Sequence, residues 1–337
     1  MFHKRFLPTV LMLGLLLGAC AAPAAAPTAT VAPTPLPPTA TTAPIVEPTA
    51  APTVESTLEP MTLTDSLGRA VTLAAPAERI VSLAPSNTEI VFSLGAGDKL
   101  VGRDDFSDYP PEASKVQSIG SLYPKVNAEA IVALKPDLVL AAGITNTEDV
   151  KALADLGLTV YATSYTTSLD DIYDDVLAVG QLMGRSEEAE KLVADMKARV
   201  EAIASETADV AGRPKVFYET DDTDPSSPWT RGPGTFLDAL INMAGGQNIG
   251  AAGQDQDFQM SLEAIVKEDP AIIIFSHASY SGRTPEQVMA RPGWENITAV
   301  KNKAVYAIDG NLLDRPGPRV VEGLEALARL IHPELFK

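Results

Sequence analysis

The sequence predicts an α/β protein of two lobes with parallel sheets, joined by one long rigid α-helix, with a cleft between the lobes. Three observations predict it. Asn127 to Leu140 reads N-A-E-A-I-V-A-L-K-P-D-L-V-L, and Ser261 to Ile274 reads S-L-E-A-I-V-K-E-D-P-A-I-I-I, aligning without a gap. Strand-like apolar runs alternate with helical stretches around both copies, the pattern of a parallel sheet covered on both faces. Midway between them, Ser186 to about Thr207 is the longest helical stretch, with Leu192, Met196, Val200 and Ile203 on one stripe.

The N-terminal segment reads as a leader. His3, Lys4 and Arg5 precede a short apolar run, Leu7 to Leu17, too short for a comfortable bilayer span. Leu17-Gly18-Ala19-Cys20 follows, and small residues before a cysteine resemble a bacterial lipoprotein processing site. Residues 1–20 are therefore expected to be a lipoprotein signal peptide with Cys20 as the lipidated residue. Cys20 is the only cysteine, which excludes an internal disulfide and a cysteine metal site. Residues 21–60 are almost all Ala, Pro and Thr and cannot bury a core. They are expected to form a disordered tether reaching on the order of 100 Å, at about 3.1 Å per residue. The net charge of -18 argues against nucleic acid and against adhesion to anionic lipid heads.

The N-terminal lobe is expected over 61–182. Arg79 to Ala84 is strand-like, and Ser86-Asn87-Thr88-Glu89 has the spacing of a capping box before a helix, Thr88 to Leu94. Strands are expected at Lys99–Gly102, Leu138–Ala141 and Thr159–Ala162, and helices at Glu148–Leu156 and Ser168–Leu182. The connecting helix is placed within 183–210 and the C-terminal lobe over 211–337. That lobe opens with strand Lys215–Tyr218, a polar loop from Asp221 to Arg231 holding Trp229, and helix Gly234–Met243. The second repeat copy leads into strand Ala271–Phe275. Strand Ala304–Ile308 and a final helix Val320–Ile331 complete it. Asn248-Ile249-Gly250 after Gly246 echoes Leu100-Val101-Gly102 after Gly97.

Four stretches carry a family resemblance. They are Ser82 to Leu94, Ser107-Asp108-Tyr109-Pro110-Pro111-Glu112-Ala113, Val132-Ala133-Leu134-Lys135-Pro136-Asp137-Leu138-Val139, and Asp314 to Arg319. From about Met61 onward the chain resembles a substrate-binding protein of an ABC importer, of the kind with a single interlobe helix. The cobalamin-binding members are the nearest in look, with ferric-siderophore and haem binders close by. The resemblance implies two Rossmann-like lobes and non-catalytic capture, with no cofactor; His3, His277 and His332 are the only histidines, too few nitrogen ligands for a dedicated metal site. It also implies a monomer, lipid-anchored on the extracytoplasmic face of a bacterial membrane, that docks on ABC permease subunits. In that family one glutamate per lobe contacts arginines of the permease; here those positions are Glu129 and Glu263. Taken alone, each is also explained as a first-turn carboxylate favoured by the helix dipole, worth about 0.3–1 kcal/mol.

A ligand between the lobes would meet the carboxyl ends of the strands. Aromatics are only 6% of the chain, yet loops at those ends carry Phe106, Tyr123, Tyr165, Trp229, Phe258 and Tyr280. Such rings suit a flat macrocycle. The resemblance assigns Phe106, Trp229 and Arg315 to the ligand, with Tyr123 and Phe258 at less closely aligned positions. A corrinoid is the expected guest. Arg103, Arg231, Arg283 and Arg315 could instead grip an anionic ferric chelate or a haem. The acids Asp221, Asp222 and Asp224 read as solvated turn residues. A hydrolase pairing Asp221 or Asp222 with His277 is the alternative from another class.

Overall fold

The computed structural model describes residues 60–210 and 212–336. The expected signal peptide, Cys20 and nearly all of the expected tether lie outside the described residues. The described residues form one compact unit.

A hairpin, β1 (Met61–Thr64) and β2 (Ala70–Leu73), precedes the first sheet. The chain continues through β3 (Ile80–Ser82), α1 (Pro85–Ser93), β4 (Leu100–Arg103), α2 (Ala128–Ala133), β5 (Leu138–Ala141), α3 (Thr147–Asp155), β6 (Val160–Ala162) and α4 (Leu169–Leu182). These four strands form a parallel sheet in the order β4-β3-β5-β6. The long helix α5 (Ser186–Thr207) follows. Then come β7 (Lys215–Asp221), β8 (Trp229–Arg231), α6 (Phe236–Met243), β9 (Gln247–Asn248), β10 (Asp257–Gln259), α7 (Leu262–Glu268) and β11 (Ile272–Phe275). The short helices α8 (Ala278–Ser281), α9 (Pro285–Met289) and α10 (Thr298–Lys301), β12 (Val305–Ala307) and α11 (Val320–Ile331) close the chain.

In the second sheet β9, β7, β11 and β12 run parallel, and β8 and β10 extend the far end of β7 antiparallel. The parallel order β9-β7-β11-β12 therefore repeats β4-β3-β5-β6, and the Leu100/Asn248 echo corresponds to β4 and β9. The expected polar loop at Asp221–Arg231 is shorter than its sequence suggested. Asp221 ends β7, and Trp229 opens β8.

The repeat extends to local geometry. Asn127 accepts from the Ala130 N–H at the start of α2, and Ser261 accepts from the Ala264 N–H at the start of α7. Such caps satisfy N–H groups the helix leaves free. Ile131 and Ile265 are each fully buried. Lys135 and Asp269 both take φ 49°, uncommon outside glycine, before the prolines that lead into β5 and β11.

The Ser86/Glu89 capping box does not form. With Pro85 at its first position α1 starts a turn earlier, its N-cap is Ala84, and Ser86 and Glu89 are buried within it. Glu89 is used instead by a residue at the other end of the chain.

Three apolar cores hold the fold. One lies on the far face of the first sheet, around Val81, Ile131 and Leu153; another on the far face of the second, around Phe217, Ile265 and Trp294. The third is shared. It joins Ile90, Val176 and Val179 of the first half to Leu240, Leu324 and Leu327 of the second through Val193, Met196 and Ile203 of α5. Truncating Ile131 or Ile265 to Ala should cost about 2–5 kcal/mol in urea unfolding. A loss below about 1 kcal/mol would mean that the repeat helices are not anchored by these residues.

Candidate ligand cleft and the exposed repeat helices

A cleft of ≈ 400 Å³ opens between the two halves. One wall comes from segments leaving β3, β5 and β6: Ala84 to Ser86, Ala142 to Ile144 and Thr163 to Thr167. The other comes from Arg231 in β8, the start of α6, Asp257, and Leu313 to Pro316. It thus sits at carboxyl strand ends, where parallel sheets bind ligands.

The first wall is braced from behind. The Asn87 amide donates to the Ala141 carbonyl and accepts from the Thr163 hydroxyl, tying the ends of β5 and β6 together. Asp175 of α4 accepts from the Ser164 N–H and hydroxyl. Asp104 accepts from the Phe106 N–H at 2.9 Å and from the Ser107 hydroxyl, which sets the turn presenting Phe106. Phe106, Ile144 and Tyr165 are consequently exposed on this wall, at 64%, 78% and 61%.

The four arginines expected to grip an anion each already have partners. Arg231 pairs with Asp257 and lies 3.9 Å from Asp314. Arg315 is 2.5 Å from Asp108. Arg103 donates to the carbonyls of Ala113 and Asp104, and Arg283 to Asp222 at 2.6 Å. Two cleft carboxyls are held well above the usual range. Burial pushes Asp175 up to about 6, against its bonds to Ser164 and with help from Asp171 and Asp174. Burial likewise pushes Asp314 to about 6; Arg231 opposes this, and Asp257 and Asp309 add to it.

The two halves are clamped beside the cleft. Arg319, at the start of α11, donates to Glu89 from Nε at 2.8 Å and from Nη2 at 2.6 Å, and lies 3.7 Å from the Tyr109 ring centroid. Burial pushes Glu89 up, and Arg319 and then Arg315 pull it back. Asp108 is exposed; the little desolvation it suffers would raise its carboxyl, but Arg315 holds it below the ordinary value.

A second buried charge cluster lies at the ends of β7 and β11. Possible ligand atoms of Glu219, Asp222 and His277 lie within 4.8 Å of one another, a set that could hold a metal ion. A guanidinium serves there instead: Arg291 reaches Glu219 at 2.5 and 2.7 Å and Asp222 at 2.7 Å. Asp222 is therefore not the solvated turn acid expected; two arginines offset the cost of burying it. Asp221 and Asp224 do cap turns, accepting from the N–H groups of Thr223 and Ser226. His277 is fully buried, with Nε2 2.7 Å from Glu219 and Nδ1 2.9 Å from Ser281. Both ring nitrogens are engaged, so the Asp222–His277 pair offers no face to a substrate.

Of the expected ligand residues, Phe106 and Arg315 line the cleft and Tyr123, Trp229 and Phe258 do not. Tyr123 stands in the approach to α2 and is 86% exposed. The Phe258 ring packs on Gly253 and the second-half core. Trp229 shares a face of β8 with Arg231, two residues on, and stops short of the lining. Sequence reasoning missed Ile144, Asp175 and Asp257, which carry no local pattern, and gave Asp314 no role although it opens the Asp314 to Arg319 stretch. Glu129 and Glu263 both occupy the second position of their helices and are exposed; among the described residues neither forms an ion pair.

The model of one family, described as periplasmic binding protein, matches residues 80–312. The chain belongs to the periplasmic binding protein family. A relative in Bacillus subtilis (strain 168), named an uncharacterized ABC transporter substrate-binding lipoprotein YvrC, is 37% identical over 82% of this chain and 87% of its own. The solved periplasmic vitamin B12 binding protein BtuF of Vibrio cholerae is 31% identical, with a TM-score of 0.66 over 77% of this chain and 98% of that one. The solved periplasmic heme-binding protein RhuT from Roseiflexus sp. RS-1 is 27% identical, with a TM-score of 0.69 over 76% and 98%. Among the described residues of this family member, no helix is long and apolar enough to cross a membrane.

Asp175 makes stability depend on pH. Its folded value of about 6 lies above the usual 3.8, so the native state holds the proton more tightly. The charged form costs the native state roughly 3 kcal/mol at most above pH 6, a cost relieved as pH falls towards 4. The unfolding temperature of Asp175→Asn relative to the parent should therefore be more favourable at pH 7.5 than at pH 4.5. An equal difference at both would remove the shift. At the clamp, Arg319→Met should cost about 3–5 kcal/mol by stranding Glu89, and Glu89→Gln should recover part of that loss in the double variant. Strict additivity in chemical unfolding would dissolve the pair.

Proposed function

We propose that this chain is a lipid-anchored, extracytoplasmic binding protein that captures a corrinoid and delivers it to the permease of an ABC importer. The observation that carries this reading is the chemistry of the cleft. Exposed rings and Ile144 stand on one wall, while both cleft arginines are already neutralised by carboxylates. A bulky, uncharged macrocycle with amide side chains gains from the apolar wall and from the hydroxyls of Ser164, Thr166 and Thr167. An anionic chelate, or a haem with its carboxylates, would first have to displace Asp108 or Asp257 from its arginine. Likeness to a vitamin B12 binding protein supports the ligand class, and the name of the Bacillus subtilis relative supports the importer and the anchor at Cys20. Capture involves no bond chemistry, and release follows docking through Glu129 and Glu263.

Calorimetric titration of the purified protein with cyanocobalamin, cobinamide, haem and a ferric siderophore tests the ligand. Corrinoids should bind most tightly; tighter binding of haem or siderophore would replace this reading with an iron-chelate carrier. Phe106→Ala should weaken corrinoid binding about tenfold, or about 1.4 kcal/mol. Charge reversal of Glu129 and Glu263 together, both to Arg, should abolish cellular uptake and leave affinity intact. Parallel loss of both properties would sink the docking role.

A further inference from the structure

The fold gives one cleft carboxylate nothing to hold. Asp175, Asp257 and Asp314 line the cleft. Asp175 accepts from Ser164, and Asp257 accepts from Nη1 of Arg231. Among the described residues no group donates to the Asp314 carboxylate. Nη2 of Arg231 stands 3.9 Å from it, beyond bonding distance. The nearby Tyr218 hydroxyl is buried and forms no hydrogen bond with it. Its position is nevertheless fixed. The Asp314 N–H donates to the Gly310 carbonyl at 2.7 Å, and Leu313 beside it is buried. A Cβ on Gly310 would lie 2.9 Å from Asp314 Oδ2 and 3.0 Å from the Ser276 carbonyl oxygen. Glycine thus leaves room for the carboxylate, on a side that offers it an acceptor instead of a donor. Arg231, for its part, commits Nη1 to Asp257 and leaves Nη2 without a hydrogen bond among the described residues. A free donor and a free acceptor therefore stand side by side on the same wall.

We propose that Arg231 and Asp314 recognise one primary carboxamide of the guest: Nη2 of Arg231 donates to its carbonyl, and Asp314 accepts from its N–H groups. A carboxamide carries the complementary donor and acceptor on one planar group. A carboxylate in the same place would satisfy Arg231 but face Asp314 as like charge against like. An ammonium would satisfy Asp314 and face the guanidinium in the same way. An uncharged group with both functions fits both partners. A site built to bond a polar group discriminates strongly against an analogue that cannot bond, because its own groups are then left unpaired. The proposal rests on the corrinoid reading and goes beyond it. The cleft selects guests whose amides are intact over those in which one has been hydrolysed to the acid. The apolar wall of Phe106, Ile144 and Tyr165 cannot make that distinction.

Calorimetric titration with cyanocobalamin and with its monocarboxylic acids, each having one propionamide side chain hydrolysed, tests this. At pH 7.5 the parent should bind at least one acid about tenfold more weakly than the intact amide. Asp314→Asn, whose amide can donate to a carboxylate, should bring that ratio within about threefold. An unchanged unfolding temperature would establish that the variant is folded. A second readout needs no variant. Burial raises the Asp314 carboxyl to about 6, against Arg231 and with help from Asp257 and Asp309. Tyr218 of β7 and Tyr280 of α8 also face it and lose their protons only far above this range. At pH 5 Asp314 is therefore mostly protonated and can itself donate to a carboxylate. The parent's ratio should fall by about threefold or more between pH 7.5 and pH 5. The ratio for Asp314→Asn should move less, which separates Asp314 from Asp175 and from the titration of the guest. Equal binding of the amide and all the acids by the parent would overturn the proposal and leave the corrinoid reading standing. Undiminished discrimination by Asp314→Asn, or a parent ratio that ignores pH, would do the same. Failure of the parent to bind cyanocobalamin at all would remove both.

Discussion

The structure depends on a core that belongs to neither half alone. Helix α5 inserts Val193, Met196 and Ile203 between side chains of α4 on one side and of α6 and α11 on the other. Interiors pack at crystal-like density and do not deform gradually. Opening the halves widely would expose this shared layer to water, at about 25 cal/mol for every Å² of apolar surface uncovered. Large hinge motions are thereby disfavoured. What remains is a small rocking of walls that already face each other across the cleft.

Electrostatics works in the same direction. Glu89 and Arg319 are separated by 230 positions in sequence and meet in a two-pronged pair beside the cleft, with Tyr109 stacked beneath the guanidinium. Buried pairs of this kind add little net stability because desolvation consumes most of the attraction. They do penalise any arrangement that separates the partners. Arg315 joins the clamp to the cleft, since it lines the one and pairs with Asp108 of the other. A guest that contacts Arg315 therefore also acts on the contact between the halves.

What could be read in the sequence was what periodicity and repetition record. The limits of α5 and α11, the parallel strands and the repeat were legible because apolar spacing and capping residues mark them locally. The match between β4 and β9 was visible only as an echo around two Gly-containing segments. The Ser86/Glu89 motif misled because the same letters serve a cap or a buried ion pair, and the deciding partner lies far along the chain. Asp222 was misjudged for the same reason: Arg291 sits 69 residues away. The cleft was half legible. Phe106 and Arg315 stood out by type, whereas Ile144, Asp175 and Asp257 are ordinary residues made significant by position. Trp229 drew notice as a rare ring, but nothing in its neighbours revealed the short antiparallel strand that carries it past the lining.

The Glu219–Arg291–Asp222–His277 cluster has one more consequence. A knot of acids and imidazole at strand ends is the type of place where many proteins recruit an ion from their surroundings after synthesis. Here the positive charge is encoded in the polypeptide and is delivered when the chain folds. An ion approaching these carboxylates would therefore have to displace Arg291 from Glu219 and Asp222, and the fold of this half would lose that bridge in the exchange.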